Sequence, residues 1–222
     1  MGGKVGQALT YFWRLTAYPL KARTLKADIY HVVDHSYAHL AYVLDSKKTV
    51  ITCHDLAPLV LRTKQKSGLS DKIWYLAVKG LHRAAKIIAI SQNTKADLIK
   101  FLNVSEKKIA TVYHGLDDAF KPLDKAQVLP LRKRLVGEAE FVILHVGHCH
   151  WRKNVELIIK ALALLKNRYN FVFLQVGGSW SKKQKELILQ LKLEKYIKQL
   201  SYLESKLLPQ VYNFADVFVF PS

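Results

Sequence analysis

A glycine and a basic pair lie between a strand pattern and a helical pattern in the second half of the chain. Gly147 follows the apolar run 141–146, Arg152 and Lys153 come next, and Asn154 directly precedes a long helical pattern. Glycine lets the backbone approach a ligand closely, and the unpaired N–H groups at a helix start attract anions. Asparagine is a residue type that caps helices. The stretch therefore predicts a site for a phosphate-bearing small molecule such as a nucleotide.

The chain is strongly basic, with 35 lysines and arginines against 17 aspartates and glutamates and a net charge of +18. This excess favours an anionic partner, which could be a phosphorylated ligand, a membrane surface or nucleic acid. Charge alone does not choose between these partners, and we expect no specific nucleic-acid role. Half of the 222 residues are hydrophobic, which excludes a disordered chain and allows one or two domains with a sizeable core.

The cysteines and the apolar runs bear on the compartment. Cys53 and Cys149 lie far apart in sequence and form no disulfide framework, which is typical of a reducing cytoplasm. No apolar run reaches the roughly 18 residues that a membrane span needs, and no signal-peptide pattern stands at the N-terminus. We therefore expect a cytoplasmic protein.

Short apolar runs alternate with helical patterns along the whole chain. In the first half, strands are expected over 29–33, 50–52, 87–90 and 109–113, with helices over 36–44, 69–83 and 93–102. In the second half, strands are expected over 141–146, 171–176, 196–200 and 217–220, with helices over 155–166, 182–192 and 204–214. Ser91 is placed to cap the helix over 93–102. This alternation predicts parallel α/β sheets with helices on both faces.

A polar stretch over 117–137 interrupts the alternation. It contains two prolines and little strand pattern, so we interpret it as a linker between two Rossmann-like units, with room for one short helix. The units are placed at 1–122 and 123–222, each with its own sheet. Ligands of open α/β sheets bind beyond the carboxyl ends of the strands. Polar clusters stand at such ends over 34–35, 53–55, 114–115, 147–148 and 177–179.

Four segments, in order, resemble the family 4 glycosyltransferases of the GT-B fold, the retaining group also called glycosyl transferases group 1. They are DIYHVVDH with TVITCHDL (28–35 and 49–56), IIAISQNT continuing to IATVYHGLD and FKP (87–94, 109–117 and 120–122), the strand–glycine–Arg-Lys-Asn segment, and LPQVYNFADVFVFPS (208–222). The resemblance implies an acceptor-side domain followed by a nucleotide-sugar-binding domain. It also implies transfer of a sugar from a nucleotide-diphosphate donor to an acceptor hydroxyl, with retention.

Two parts of the family pattern are missing from this sequence. The family opens with a strand and a glycine-rich loop, and its paired-glutamate motif E-x₇-E follows the strand that ends here at Pro221 and Ser222. We therefore expect both domains to be incomplete, the chain to be truncated at both ends, and transfer activity to be low or absent. Two alternatives stay open: a catalytically inactive nucleotide-binding remnant, and a basic module that binds membranes or nucleic acid.

The resemblance assigns roles to residues at the strand ends. It implies that His54 lies near the donor sugar, and we expect His54 to be catalytic. For the neighbouring Asp55, a role in the site and a role in holding the loop or pairing with Arg62 both stay open. Lys153 matches the lysine that contacts the donor pyrophosphate, where a cation offsets the charge that grows on the leaving group.

The remaining donor-binding residues are expected around the same loops and strand ends: Gly147, His148, Arg152, Asn154, Gly177 and Tyr202. His148 stands where the family usually has arginine or a small residue, Gly177 fits an ordinary turn equally well, and Tyr202 is placed near the nucleobase. No metal site is expected, because the histidines around Cys149 match no structural zinc spacing. The resemblance likewise implies a metal-independent reaction without a cofactor, in which the nucleotide sugar is the donor substrate.

Residues 4–26 carry five basic side chains and no acidic one. Val5, Leu9, Phe12 and Trp13 share one face of a predicted helix. We favour a helix packed on the sheet core. The alternative is a helix lying on an anionic membrane surface, where it brings a lipid-linked acceptor close. The acceptor could be a polysaccharide, a lipid-linked glycan or another glycan, and the sequence does not choose between them. The expected location is the cytoplasm, either free or at the inner face of the membrane.

Overall fold

The computed structural model describes residues 4–60 and 69–222. The chain forms two compact units, Met1–Gly115 and Leu116–Ser222. Each unit has its own four-stranded parallel sheet, so the prediction of two separate sheets is confirmed. The division falls after Gly115, ahead of the boundary expected at 122.

The first unit has the strand order β1-β2-β3-β4. The strands are β1 (Tyr30–Val32), β2 (Thr49–Cys53), β3 (Lys86–Ala89) and β4 (Ile109–Thr111). The α-helices are α1 (Lys4–Leu15), α2 (Ala17–Ala22), α3 (Ala57–Val60), α4 (Leu69–Val78) and α5 (Gln92–Leu102), with 3₁₀ segments at His35–Tyr42, Lys79–Arg83 and Glu106–Lys108. All neighbouring strands pair in parallel, so their carboxyl ends share one edge of the sheet.

Local sequence explains how the helical elements of this unit begin, end and cross. The Ser91 side chain accepts the Thr94 N–H, which confirms the predicted cap of α5, and Asn103 ends that helix in a left-handed conformation. Gly80 lets the two longer 3₁₀ segments cross closely, because a Cβ there would lie 2.0 Å from the Ala38 carbonyl oxygen. The close crossing fixes the segment that follows β1.

The apolar face of α1 is exposed. The side chains of Leu9, Phe12 and Trp13 are 54%, 60% and 57% exposed, and the Val5 side chain lies outside the described part of the chain. The helix is held by Arg14, whose guanidinium donates to the Ser36 carbonyl and lies over the Tyr37 ring. The favoured packing of this face on the sheet core is therefore wrong for the described side chains, because α1 is anchored to the 3₁₀ segment after β1. None of the helices within 4–60 and 69–222 combines the length and apolar character that crossing a bilayer requires.

The second unit has the strand order β7-β6-β5-β8. The strands are β5 (Phe141–Val146), β6 (Phe171–Val176), β7 (Ile197–Leu200) and β8 (Val217–Phe218). The α-helices are α6 (Lys125–Val136), α7 (Val155–Leu165), α8 (Lys182–Gln190) and α9 (Leu208–Phe214), with 3₁₀ turns at Trp151–Lys153, Glu194–Tyr196 and Ser205–Leu207. Strand β6 is buried along its whole length, and its side chains alternate between two cores. One core contains α6 and α9, and the other contains α7 and α8.

The polar stretch over 117–137 is part of the second unit. It contains α6, a twelve-residue helix whose Val128, Leu131 and Val136 are buried in the core. The Asn213 side chain in α9 accepts the Leu123 N–H at 2.8 Å and so fixes the chain ahead of α6. The linker interpretation is therefore wrong for most of this stretch. The one short helix that the interpretation allowed is α6, but it packs into the core of the second unit instead of lying in a linker.

Candidate functional site

Three histidines meet at the carboxyl edge of the first sheet and are called the histidine cluster: His35, His54 and His114. The His54 ring centroid lies 5.4 Å from that of His114, with 19° between the ring planes, and 6.4 Å from that of His35. His54 Nε2 lies 2.9 Å from the Val33 carbonyl oxygen. A carbonyl only accepts hydrogen bonds, so Nε2 is assigned the proton and Nδ1 of the neutral ring is an acceptor. The cluster places an imidazole acceptor on His54 where β2 ends.

The backbone of His54 is fixed on both sides. Its N–H donates to His35 Nδ1 at 3.4 Å, and its carbonyl oxygen accepts the Thr94 hydroxyl at 3.2 Å. Thr94 is itself bonded to Ser91, the residue that caps α5. The start of α5 therefore sets the position of the predicted catalytic histidine.

Burial favours the neutral form of His35. His35 is 7% exposed, and desolvation lowers its pKa although Asp34 and Asp55 oppose this. A neutral His35 agrees with its acceptance of the His54 N–H. At Asp34, burial acts to raise the pKa, but hydrogen bonds from Ser36 and the nearby histidines outweigh it and lower the pKa below its ordinary value.

The residues on either side of His54 in sequence, Cys53 and Asp55, belong to the core and to the loop that follows β2. Asp55 accepts the Ala57 N–H at 2.9 Å, which matches the loop-holding alternative, and Arg62 lies outside the described residues. Cys53 is fully buried, and desolvation together with nearby carboxylates raises the pKa of its thiol to about 12. Its thiol is therefore inert at neutral pH.

In the second unit, two loops follow β5 and β6, and we call 147–150 the first glycine loop and 177–179 the second glycine loop. Gly147, Gly177 and Gly178 have φ values of 149°, 90° and 69°. A Cβ on Gly177 would lie 3.3 Å from the Gly147 carbonyl oxygen, and one on Gly178 would lie 3.0 Å from the His148 Cα. The loops thus touch through their backbones and bring the predicted residues Gly147, His148 and Gly177 together.

The side-chain amide of Gln175 ties the two glycine loops together. Its Nε2 donates to the carbonyl oxygen of Gly147 at 2.7 Å and to that of Gly177 at 2.8 Å. Gln175 is fully buried at the end of β6. Sequence reasoning gave it no role, and its one signal is a polar residue inside an otherwise apolar strand.

Two more glutamines hold neighbouring carbonyl groups in the same way. Gln184 donates to the Cys149 carbonyl oxygen at 2.9 Å, and Gln199 donates to that of Gly178 at 3.1 Å. Cys149 is 7% exposed, and burial raises the pKa of its thiol to about 11. Four loop carbonyl groups are therefore held by amide donors on the protein side.

Lys153 lies in the 3₁₀ turn directly before α7, with its Nζ 4.3 Å from the centroid of the Phe220 ring. Arg152, in the same turn, is exposed. The predicted side-chain cap by Asn154 is wrong: its side chain makes no cap hydrogen bond to α7. Capping residues normally have extended backbone, whereas Asn154 is left-handed with a φ of 48° because it also ends the 3₁₀ turn.

Tyr202 is 80% exposed and forms no hydrogen bond or ring contact within 4–60 and 69–222, so the structure does not draw it into the glycine loops. Among those residues, no group of three or more histidines, cysteines and acidic residues could hold a metal ion.

Sequence profiles of two glycosyltransferase groups match nearly the whole chain. The profile of Glycosyltransferase Family 4 matches residues 4–120, and that of Glycosyl transferases group 1 matches residues 131–222. The chain belongs to the family 4, group 1 glycosyltransferases.

Solved structures of similar fold place this group 1 chain in the GT-B class. WaaG, a glycosyltransferase involved in lipopolysaccharide biosynthesis, superposes with a TM-score of 0.76 at 18% identity, covering 100% of this chain and 60% of WaaG. Anabaena Alr3699/HepE in complex with UDP and glucose gives a TM-score of 0.74 at 20% identity, covering 100% of this chain and 58% of HepE.

Curated relatives of this group 1 chain include mannosyltransferases of Escherichia coli. The serotype-specific mannosyltransferase WbdA is 28% identical over 188 residues, which is 79% of this chain and 22% of WbdA. The O-antigen chain mannosyltransferase B is 24% identical over 208 residues, which is 90% of this chain and 52% of that protein. The chain thus spans about half or less of the length of these relatives.

Proposed function

We propose that the protein transfers a sugar from a nucleoside-diphosphate donor to an acceptor hydroxyl with retention, and that its second unit binds the donor diphosphate. The observation that carries this proposal is the pair of touching glycine loops, whose carbonyl groups are held on glutamine amides beside Lys153 and the start of α7. The UDP in the HepE structure and the mannosyltransferase relatives support a nucleotide-sugar donor.

The positive charge of this site suits the departing diphosphate. As the glycosidic bond breaks, negative charge grows on the leaving phosphate, and a fixed cation and helix start stabilise it without moving. Lys153 and α7 supply these two groups. The proposed reaction therefore needs no metal ion or other cofactor.

We propose that His54 acts on the sugar that is transferred. Its Nε2–H is engaged with the Val33 carbonyl, so Nδ1 is the nitrogen that can accept a sugar hydroxyl. Stacking against His114 and the two backbone hydrogen bonds restrict the ring to this orientation. Restricting a group that contacts the reacting sugar lowers the entropy cost of the reaction.

A glycan, either a polysaccharide or a lipid-linked one, is the proposed acceptor, and the proposed location is the cytoplasm with attachment to the inner face of a membrane. The exposed apolar side chains of α1 favour membrane attachment, because they accompany five basic residues and no acidic one over 4–26. Anionic lipid surfaces bind helices of this kind through both features.

The test is calorimetric titration of the chain with UDP, GDP and ADP, followed by an assay for sugar transfer from the matching nucleotide sugar. We expect saturable binding of one nucleoside diphosphate. Binding without transfer would favour the inactive nucleotide-binding alternative. Binding of nucleic acid with a steep salt dependence and no nucleotide selectivity would overturn the proposal in favour of a basic binding module.

A further inference from the structure

Gln175 and His145 form a buried polar pair beneath the glycine loops. Both side chains are fully buried, at the ends of the neighbouring strands β6 and β5. His145 Nδ1 lies 2.8 Å from Gln175 Oε1. A buried polar pair inside an apolar sheet costs folding free energy unless its hydrogen bonds are satisfied. Because His145 Nε2 is buried without a hydrogen-bond partner among the described residues, the pair calls for a reason beyond packing.

The hydrogen bonds assign the orientation of both groups. The Gln175 amide nitrogen donates to the Gly147 and Gly177 carbonyl oxygens, so Oε1 must be the acceptor that faces His145. His145 Nδ1 is therefore the donor, and its neutral ring leaves Nε2 without a proton. Burial, assisted by the charge of Lys153, lowers the pKa of His145 despite its bond to Gln175 and favours this neutral form.

The glycine loops need this pair because their carbonyl groups lie next to the proposed diphosphate site. A carbonyl oxygen carries partial negative charge, and one that turned toward a phosphate would repel it. The N–H groups of His148 and Gly178 form no hydrogen bond within 4–60 and 69–222. With the carbonyl groups held on the amide, these N–H groups stay available to an anion.

We propose that His145 and Gln175 are positioning residues for the donor diphosphate: His145 orients the Gln175 amide, and the amide keeps the carbonyl groups of both glycine loops away from the phosphates. Neither residue is proposed to contact the donor. The inference rests on the proposed donor site in the second unit and names the groups that set the shape of that site.

The experiment compares a nucleoside diphosphate with its own monophosphate. The probe is whichever of UDP, GDP and ADP the unchanged chain binds most tightly. Gln175→Met removes both amide donors at similar length, His145→Phe keeps the ring but removes the N–H, and His145→Asn restores a donor near the Nδ1 position. Titration gives the affinity of each variant for the diphosphate and for the monophosphate.

We expect Gln175→Met and His145→Phe to bind the diphosphate about tenfold more weakly or worse. This factor corresponds to the loss of one buried hydrogen bond that favours the bound state. Their affinity for the monophosphate should change less, so the preference for the diphosphate shrinks. His145→Asn should recover most of that preference. If the two residues had a merely structural role, the variants would bind both ligands more weakly by the same factor, and His145→Asn would not restore the ratio of the two affinities.

Three results would overturn the inference. The first is a Gln175→Met or His145→Phe variant in which the ratio of diphosphate to monophosphate affinity is unchanged. The second is a folded variant that loses the same factor of affinity for both ligands. The third applies if Gln175→Met does not fold: it is a His145→Asn variant whose diphosphate preference is as low as that of His145→Phe. Failure of the unchanged chain to bind any of the three diphosphates would instead remove the proposed donor site itself.

Discussion

The two sheets have the same number of parallel strands, yet their carboxyl edges are built in different ways. The edge of the first sheet carries side chains, with the rings of His35 and His114 packed beside that of His54. The edge of the second carries bare backbone, with glycines at positive φ and carbonyl groups held by glutamine amides. The difference comes from the residue types in the loops that follow the strands: histidine directly after β2, and glycine directly after β5 and β6. A histidine provides a group that can exchange protons and accept hydroxyls, whereas a glycine provides room for a phosphate.

Replacing His54 should have the largest effect, and only on catalysis. We expect His54→Ala to lower the transfer rate by about 10²–10⁴, the range for a positioned group that exchanges hydrogen bonds or protons with a reacting sugar. Affinity for the nucleoside diphosphate should stay unchanged, because the glycine loops belong to the other unit. The measurement is a donor-dependent transfer assay beside a calorimetric titration. Equal transfer rates for the two proteins would remove His54 from the reaction.

Adding a methyl group to the second glycine loop should impair binding instead. Gly178→Ala would place its Cβ 3.0 Å from the His148 Cα at a φ of 69°, so the two loops must separate. We expect at least about tenfold weaker diphosphate binding and a loss of about 1–3 kcal/mol in the free energy of unfolding.

Gly137→Ala is the matched control for the loop substitution. Gly137 has a similar φ of 71°, but its Cβ would meet nothing within 4 Å. This variant should lose some stability and keep its nucleotide affinity. If both variants bound nucleotide equally well, contact between the loops would not matter for binding.

Removing the cation beside the loops should have a comparable effect on binding. Lys153→Ala should weaken nucleoside-diphosphate binding by about 1.5–3 kcal/mol, the range for a hydrogen bond to a charged group. Lys160→Ala, an exposed lysine on the adjoining α7, is the control. Titration isotherms that are the same for Lys153→Ala and the unchanged chain would rule out the assignment.

Membrane attachment should depend on the exposed face of α1. Replacing Phe12 and Trp13 together by serine should reduce co-sedimentation with phosphatidylglycerol vesicles by about tenfold, since each side chain offers apolar area to the lipid interface. Vesicles of phosphatidylcholine alone should bind the unchanged chain weakly. Equal sedimentation of both proteins with anionic vesicles would show that α1 is not the attachment site.

The smallest effect should be an acid-dependent loss of stability that involves both units. Burial lowers the pKa values of His35 and His39 in the first unit and of His145 in the second. The folded protein therefore favours the neutral form of these histidines. As the pH falls below 6.5, the ordinary pKa of histidine, the unfolded chain takes up protons first, and the free energy of unfolding declines. The slope cannot exceed about 1.4 kcal/mol per pH unit for each histidine. Thermal melts over this range should show the decline, and His145→Asn should flatten it; a midpoint that did not change with pH would contradict it.

Sequence patterns predicted the strands and missed the interactions between loops. The runs 141–146 and 171–176 are confirmed as β5 and β6, because apolar strands buried on both faces leave little choice of structure. The helix α6 was interpreted as part of a linker because Pro130 and several basic side chains interrupt its apolar residues, and the cap at Asn154 was wrong because backbone conformation overrode residue preference.

The site could be predicted as a set of strand ends but not as a set of contacts. Gly147 and Gly177 stood out because glycine after a buried strand is a recognisable signal. Gln175 carried no comparable signal, because its role depends on which loop carbonyl groups the fold brings to its amide. The stacking of His114 on His54 likewise joins residues sixty positions apart, and periodicity contains no such information.

Both native thiols are buried and have pKa values of about 12 for Cys53 and about 11 for Cys149. At neutral pH only about one Cys149 side chain in 10⁴, and fewer of Cys53, is a thiolate that can react with a maleimide. The side chain of Lys182 is 93% exposed at the start of α8. In a Lys182→Cys variant, a maleimide fluorophore would therefore attach mainly at position 182. The unmodified chain already has a low background for optical measurements of how the second glycine loop responds to nucleotide.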